Sequence, residues 1–285
     1  MARITELLAK GRTFSFEFFP PKDEREQRLL TGTIKDLEPL KPSFVSVTYR
    51  GGAASRARTT AVVAELRRTT ALTPMAHLTC VAHPRAELVE VIRGFRDVGV
   101  ENLLALGGDP LPAHEEHHDL RYASELVTLG RELAFTSIGV AAHPAGHPRS
   151  PDRATDRAHL AAKLRLADFA ITQFFFKLDE FERLRDELAA LGVTKPILAG
   201  IMPITSLASV QRMAELSGYA VPADVVKRVT AGGDDPAEIR ARGIDVAAEL
   251  CAQLLDADVP GLHFYTLNFS KATREVYTKL GLVPA

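Results

Sequence analysis

Eight apolar runs of strand length alternate with longer segments of helical periodicity along this sequence. This alternation favours a parallel sheet covered by helices, and eight strand–helix units are the number that closes a (β/α)8 barrel of about 250 residues. We therefore predict an α/β protein with a single TIM barrel domain over residues 1–285. The runs are Phe14–Phe19, Phe44–Thr48, Met75–Cys80, Asn102–Leu106, Ser137–Ala142, Phe169–Phe174, Ile197–Met202 and Leu262–Thr266. An open doubly wound sheet is the alternative, but no Gly-x-Gly-x-x-Gly or Walker-type loop follows any run.

Helical segments lie between the runs, and glycines such as Gly99 and Gly192 mark where two of them stop. Ser206–Asp235, between the seventh and eighth runs, is long and contains Pro222. We predict that it forms extra helices over one rim of the barrel. The other helix candidates are Thr59–Thr69, Arg85–Val98, Tyr122–Leu133, Asp179–Leu191 and Ile239–Leu255.

The charge balance favours a small-molecule ligand. The 35 basic and 36 acidic residues leave a net charge of −1, so neither a nucleic acid nor a membrane surface is indicated as a partner. Two cysteines, Cys80 and Cys251, are too few for a disulfide framework, and we expect reduced thiols. No stretch reaches the roughly 20 apolar residues of a membrane span, and Met1–Lys10 lacks a secretory pattern, so we expect a soluble cytoplasmic protein of unknown oligomeric state.

A lone carboxylate, Glu17, lies in an aromatic run that Pro20 and Pro21 close. Proline cannot continue a hydrogen-bonded ladder, which places Glu17 near the end of a short buried strand. Burial there raises the pKa of a carboxyl group, as a general acid near neutral pH requires. The alternative is a glutamate on the polar face of the strand that points into solvent.

Polar residues at the carboxyl ends of the predicted strands are the other candidates, because barrels carry their chemistry at that rim. Each alone has a structural explanation: Thr48 could cap a turn, His77 could be a core histidine, and Gln173 could bond to the backbone. Their convergence on one rim indicates function. The set is Glu17, Thr48, His77, Thr79, Asp109, His143, Gln173 and Tyr265. We interpret His114–Asp119 as a solvated loop rather than a metal site, because it lacks a fixed ligand spacing.

Nine sequence blocks, in order along nearly the whole chain, resemble the methylenetetrahydrofolate reductase family. Its members are barrel flavoenzymes that reduce 5,10-methylenetetrahydrofolate to 5-methyltetrahydrofolate. Each block alone is a weak signal, and together they are specific. The blocks are Phe14–Pro21, Phe44–Tyr49, His77–Cys80, Gly108–Pro110, Tyr122–Ala123, His147–Pro148, Ala170–Phe176, Gly200–Pro203 and His263–Asn268.

The resemblance implies a role for each matching position. It makes Glu17 the general acid, makes Asp109 and Gln173 the groups that hold the pterin, and makes Tyr265 a folate contact. Protonation of N10 by Glu17 opens the imidazolidine ring and leaves a 5-iminium cation that accepts hydride, and the charge of Asp109 offsets this cation. The positions where the family contacts its flavin are Thr48, His77, Tyr122, Ala123, His147 and Lys163.

Three departures from the family pattern surround the flavin site. Gly107 stands where the family has an arginine, which removes a charge-assisted partner of the flavin diphosphate. Arg50 stands where the family has a glycine beside the ring, and Leu166–Ala167 replaces a longer turn. The departures disfavour FAD, the family's usual cofactor, unless Arg50 or Lys163 replaces the missing contact.

A fourth departure affects the folate tail. Phe269 stands where the family has an arginine, so we assign the glutamate tail to Lys271, with Arg274 as the other candidate.

We therefore predict an NAD(P)H-dependent methylenetetrahydrofolate reductase of one-carbon metabolism and methionine biosynthesis. NADH is favoured over NADPH, and hydride passes directly to the folate without flavin. The alternatives are an ordinary FAD-dependent reductase and, more remotely, a folate-binding barrel without catalysis. Buried Glu17 argues against the latter, because binding alone does not require an acid. A phosphate-binding barrel aldolase or isomerase would need a glycine-rich loop after strand seven or eight and a catalytic lysine, and neither is clear.

Overall fold

Eight parallel strands close into one barrel in chain order, which confirms the predicted (β/α)8 architecture. The computed structural model describes residues 2–49, 53–81, 83–109 and 119–283, with only the backbone for 53–56. Each strand pairs with the next, and β8 pairs with β1. The strands are β1 Thr13–Phe18, β2 Phe44–Val47, β3 Pro74–Thr79, β4 Asn102–Leu106, β5 Ser137–Ala142, β6 Phe169–Thr172, β7 Ile197–Ile201 and β8 Gly261–Tyr265. β4 and β5 match the prediction at both ends, and the other six strands end one or two residues early.

Helices cover the outside of the barrel, and α8 and α9 are the predicted extra helices between β7 and β8. The helices are α1 Ile4–Lys10, α2 Glu24–Leu37, α3 Ala53–Thr69, α4 Arg85–Asp97, α5 Ala123–Glu132, α6 Arg153–Leu166, α7 Leu178–Ala190, α8 Leu207–Leu216, α9 Ala223–Val229, α10 Pro236–Asp256 and α11 Ser270–Lys279. Helices α1, α2 and α11 were not predicted. No helix within the described ranges is long and apolar enough to cross a bilayer.

Side chains that accept a backbone N–H bond mark the start of several helices. Asp23 caps α2, Asp152 caps α6, and Ser206 caps α8, with N···O distances of 2.8, 2.7 and 3.1 Å. The mixed charges of residues 149–157 indicate a helix start in the sequence, with Asp152 or Asp156 as its N-terminal charge, and the cap on α6 confirms this for Asp152. The cap also sets where α6 begins, just after a loop at the carboxyl rim.

Residues along β1 alternate between the helix layer and the barrel interior. Phe16 and Phe18 are fully buried in the core between the strands and the helices, whereas Ser15 and Glu17 point inward. Helix α1 closes the amino end of the barrel: Ile4 is fully buried against interior residues, and its N–H donates to Asn102 Oδ1 at 2.8 Å. The interior therefore has an apolar floor, and its polar groups lie towards the carboxyl end.

Both cysteines, Cys80 and Cys251, are buried free thiols. Burial raises the pKa of Cys80 to about 12, and it raises the pKa of Cys251 as well. Because the thiolate is the reactive form, neither is suited to act as a nucleophile near neutral pH.

Candidate active site

Glu17 lies inside the barrel near the carboxyl end of β1, with only 12% of its side chain exposed. Thr48 Oγ1 donates to Glu17 Oε1 at 3.0 Å. On the other carboxylate oxygen, His263 Nε2 lies 3.4 Å from Oε2 and His77 Nε2 lies 3.7 Å from it. The alternative of a glutamate that points into solvent is therefore wrong. Thr48 and His77, which the resemblance assigned to the flavin, both lie against this carboxylate.

His263 connects Glu17 to a buried serine. Its Nδ1 lies 2.7 Å from Ser15 Oγ, and its ring stacks on Phe44 with centroids 5.9 Å apart. An ionised Glu17 can only accept a hydrogen bond, so the contact requires a proton on His263 Nε2. Sequence analysis did not assign a role to Ser15 or His263. The strand period of two could have identified both residues, because Ser15 lies two residues before Glu17 and His263 lies two residues before Tyr265. The two strands are in register, with Ser15 paired to His263 and Glu17 paired to Tyr265.

The pKa of Glu17 results from opposing effects. Burial raises it, as expected from the sequence, but His77, the hydrogen bond and charge of His263, and the Thr48 hydroxyl together outweigh burial. The net pKa lies below the ordinary value, so the expected raised pKa is wrong for the ligand-free protein. Burial also lowers the pKa of His77 to about 4, against the opposing charge of Glu17. Near pH 7 the site therefore holds an ionised carboxylate beside a neutral imidazole.

Tyr265 spans the interior from β8 to β6. Its hydroxyl donates to Thr172 O at 2.7 Å, and its ring passes over Gly200. A Cβ at Gly200 would lie 2.2 Å from Thr172 O and 2.8 Å from the Tyr265 ring, so only glycine fits there. Burial, with the charge of Glu17, raises the pKa of Tyr265 well above its ordinary value, which keeps the phenol neutral.

Gln173 follows directly after β6, half-buried at the same rim. Its Oε1 accepts from Phe174 N–H at 3.1 Å. In the described part of the chain, its side-chain NH2 group has no hydrogen-bond partner. Gln173 therefore has donors left for a ligand at the rim.

A second polar group lies over the ends of β4 and β5. The rings of His143 and His147 meet edge to face with centroids 4.6 Å apart, and burial lowers the pKa of both, that of His143 to about 4. Lys163 Nζ donates to Ala141 O at 2.7 Å, and burial lowers its pKa to about 8. Exposed Asp109, near enough to act electrostatically on His147, completes this side of the rim.

A buried arginine fixes the loop between β5 and α6. Arg157, 3% exposed, donates to Asp156 Oδ2 at 2.5 Å and to Glu187 Oε2 at 2.6 Å. The same guanidinium donates to the carbonyls of His143 and Pro144 at 3.1 and 2.6 Å. Because its donors are occupied by these contacts, Arg157 stabilises the loop that carries His143 and His147.

The remaining predicted site residues are more dispersed. Tyr122 is 67% exposed, Ala123 is buried at the start of α5, and Lys271 is exposed in the first turn of α11. Arg50 and residues 110–118, including most of the polar loop 114–119, lie outside the described residues. The structure therefore brings Glu17, Thr48 and His77 together and gathers His147, Lys163 and Asp109 at the ends of β4 and β5. Lys271 lies on the outer helix layer.

Comparisons with known proteins identify the family of this chain. The model of the family described as methylenetetrahydrofolate reductase matches residues 3–281. The 5,10-methylenetetrahydrofolate reductase of Escherichia coli is 35% identical over 272 residues, which cover 95% of this chain and 91% of that protein. Methylenetetrahydrofolate reductase 1 of Schizosaccharomyces pombe is 34% identical over 278 residues, covering 95% of this chain and 46% of that longer protein.

A solved structure shares the fold at low sequence identity. It is an uncharacterized Clostridium thermocellum protein that binds two copies of 5-methyl-5,6,7,8-tetrahydrofolic acid. It superimposes with a TM-score of 0.72 at 12% identity and covers 97% of this chain and 96% of its own. The family match over nearly the whole chain and the identity to named reductases lead to one conclusion. This chain belongs to the methylenetetrahydrofolate reductase family.

Proposed function

We propose that this barrel, as a single catalytic domain, reduces 5,10-methylenetetrahydrofolate to 5-methyltetrahydrofolate by direct hydride transfer from NADH, with NADPH the poorer donor. The observation that carries the proposal is the carboxyl group of Glu17, held by Thr48 and His263 beside His77 inside the mouth of the barrel. Such a group can deliver a proton to a substrate that covers the mouth.

Glu17 acts as the general acid after it takes up a proton. In the ligand-free protein its pKa is low, so proton uptake accompanies folate binding. A bound pterin excludes water, which strengthens the effect of burial and so favours the protonated carboxyl group. Transfer of this proton to N10 breaks the bond between N10 and the methylene carbon. The resulting N5-iminium carbon receives hydride from C4 of the nicotinamide, and oxidised nicotinamide leaves.

The other rim residues bind and orient the folate. Asp109 accepts from the pterin N–H groups and offsets the iminium charge, and the free donors of Gln173 face the same ring. Tyr265 contributes a neutral surface, because its hydroxyl donates to Thr172 O. Lys271, exposed at the start of α11, is the candidate for the glutamate tail.

The residues on the nucleotide side depart from the family's FAD pattern at position 107. The flavin diphosphate carries two negative charges, and Gly107 offers no cation where the family pattern has an arginine. Packing does not force this glycine, since a Cβ there would meet only Arg121 O at 4.0 Å. The proposed reaction therefore does not use a flavin. Direct transfer instead needs the nicotinamide C4 about 3.5 Å from the iminium carbon.

Absorbance and steady-state kinetics of the purified protein test this proposal. We expect a colourless protein that reduces methylenetetrahydrofolate with NADH without added FAD. Direct transfer requires both substrates to be bound together, so double-reciprocal plots should intersect. A yellow protein with parallel lines, which loses activity when flavin is removed and regains it with FAD, would make this an ordinary flavoenzyme.

A further inference from the structure

We propose that Arg149 binds the diphosphate of the nicotinamide dinucleotide and so supplies the cation that position 107 lacks. The inference rests on the proposed function, in which a nicotinamide dinucleotide is the hydride donor. Arg149 is exposed in the loop between β5 and α6, and its Nη2 donates to Gly108 O at 3.0 Å. Its guanidinium therefore lies at the end of β4, on the residue that follows Gly107.

Arg149 is available for a ligand, unlike the arginines that follow it. Arg153 and Arg157 both make ion pairs with Glu187. In the described part of the chain, Arg149 makes no ion pair, and its side chain is bound only to the neutral Gly108 carbonyl. A planar guanidinium with unused donors suits bidentate contact with phosphate oxygens.

The backbone around Arg149 is held in place, which limits the entropy lost when its side chain binds. Its N–H donates to His147 Nδ1 at 3.1 Å, and the N–H of Ser150 donates to His147 O at 2.9 Å. The same loop is joined to α6, because the N–H of His147 donates to Asp156 Oδ1 at 3.1 Å.

A second cation on the same side, Lys163, makes no ion pair within the part of the chain that the structure describes. Lys163 Nζ donates to Ala141 O, and no carboxylate among the described residues makes an ion pair with it. The nearby Asp156 is already paired with Arg157. Burying an ammonium group without a carboxylate costs free energy, which a bound anion recovers. Arg149 and Lys163 together match the two charges of a diphosphate.

The neighbouring glycines differ in what they allow. Gly108 has φ +92°, and a Cβ there would lie 2.6 Å from Val81 Cγ2, so position 108 requires glycine. Gly107 is under no such constraint. Packing therefore does not explain the glycine at 107, and Arg149 donates to the carbonyl of the next residue.

The test is Arg149→Ala, measured with two hydride donors in the otherwise intact protein. The KM for NADH should rise roughly 10-fold or more, the loss expected for one charge-assisted bidentate contact. The KM for folate and the kcat should stay within about two-fold. With 1-methyl-1,4-dihydronicotinamide, which has no phosphate, the KM should not change. Arg149→Lys keeps the charge but not the planar guanidinium, so its KM for NADH should lie between those of the wild type and Arg149→Ala.

Arg165→Ala is the matched control. It removes another exposed arginine from the far end of α6, where Nη2 donates to Leu191 O, and it should leave the KM for NADH unchanged. The inference would be overturned if Arg149→Ala left the KM for NADH unchanged, or if it raised the KM equally for NADH and for 1-methyl-1,4-dihydronicotinamide. If wild-type protein did not oxidise NADH with methylenetetrahydrofolate, the proposed function would fail. Fluorescence titration of NADH binding to wild type and Arg149→Ala would still decide the role of Arg149.

Discussion

The side-chain amide of Asn268 makes two hydrogen bonds with the backbone of Phe19. The N–H of Phe19 donates to Asn268 Oδ1 at 2.8 Å, and Asn268 Nδ2 donates to Phe19 O at 2.9 Å. Thr266 Oγ1 donates to Glu17 O at 2.6 Å from the same turn. The turn after β8 therefore holds the carboxyl end of β1, and with it the backbone of the candidate acid.

Asn268→Ala should lower the free energy of unfolding by about 1–3 kcal/mol, because it removes both side-chain hydrogen bonds to the backbone of Phe19. It should also lower kcat, since Glu17 loses part of its support. Urea denaturation and steady-state assays measure both effects. Asn268 has φ +62°, so Asn268→Gly is the control that removes the same amide without backbone strain. If Asn268→Gly were as stable as wild type, strain rather than the lost hydrogen bonds would explain the alanine variant.

Glu17→Gln should reduce turnover of methylenetetrahydrofolate by a factor on the order of 10² or more, the usual contribution of general acid catalysis. The amide keeps the size of the side chain and can still accept from Thr48 Oγ1, but it has no carboxylic proton to give. Turnover is compared at equal concentrations of folded protein, verified by circular dichroism. Wild-type turnover in a folded Glu17→Gln protein would exclude Glu17 as the acid.

Asp109→Asn should weaken folate binding and leave the affinity for NADH within a few-fold. The physical reason is that the amide can no longer accept from two pterin N–H groups at once, or offset the iminium charge. Because Asp109 is exposed, thermal stability should be nearly unchanged. Separate titrations with folate and NADH distinguish the two ligands. A selective loss of NADH affinity would assign Asp109 to the nucleotide instead.

His77 should make the stability of the protein pH-dependent. Burial lowers its pKa from 6.5 to about 4, so between these values the unfolded chain binds a proton there that the folded protein does not. The free energy of unfolding therefore falls as the pH decreases through this window. His77→Gln should remove about 1.4 kcal/mol per pH unit from that slope.

The free energy of unfolding of the His77 variant is measured by urea denaturation above pH 4.5, which is the ordinary pKa of a glutamate. In this range Glu17 contributes little to the pH dependence of stability. His159→Gln, which removes an exposed imidazole from α6, is the control and should keep the wild-type slope. An unchanged slope in His77→Gln would mean that His77 takes up its proton in the folded protein.

The order and number of the barrel strands were determined by the sequence itself, because each strand follows from a local apolar run and the stop signals around it. β4 and β5 were predicted at both ends, and the long segment before β8 was recognised as helical. The family resemblance identified Glu17, Thr48 and His77 as site residues, and the structure places them in contact. Helix α1 was missed because its role depends on a distant partner, Asn102.

Only the tertiary structure decided which way Glu17 points and which proton state it favours. Both faces of β1 are buried, so alternation in sequence does not distinguish the barrel interior from the helix layer. The low pKa of Glu17 depends on His77 from β3 and on His263, which is 246 residues away in sequence. Arg149 reaches Gly108 in the same way, across 41 residues, because barrel closure brings the ends of β4 and β5 side by side. Contacts between residues so far apart in sequence can be identified only from the folded structure.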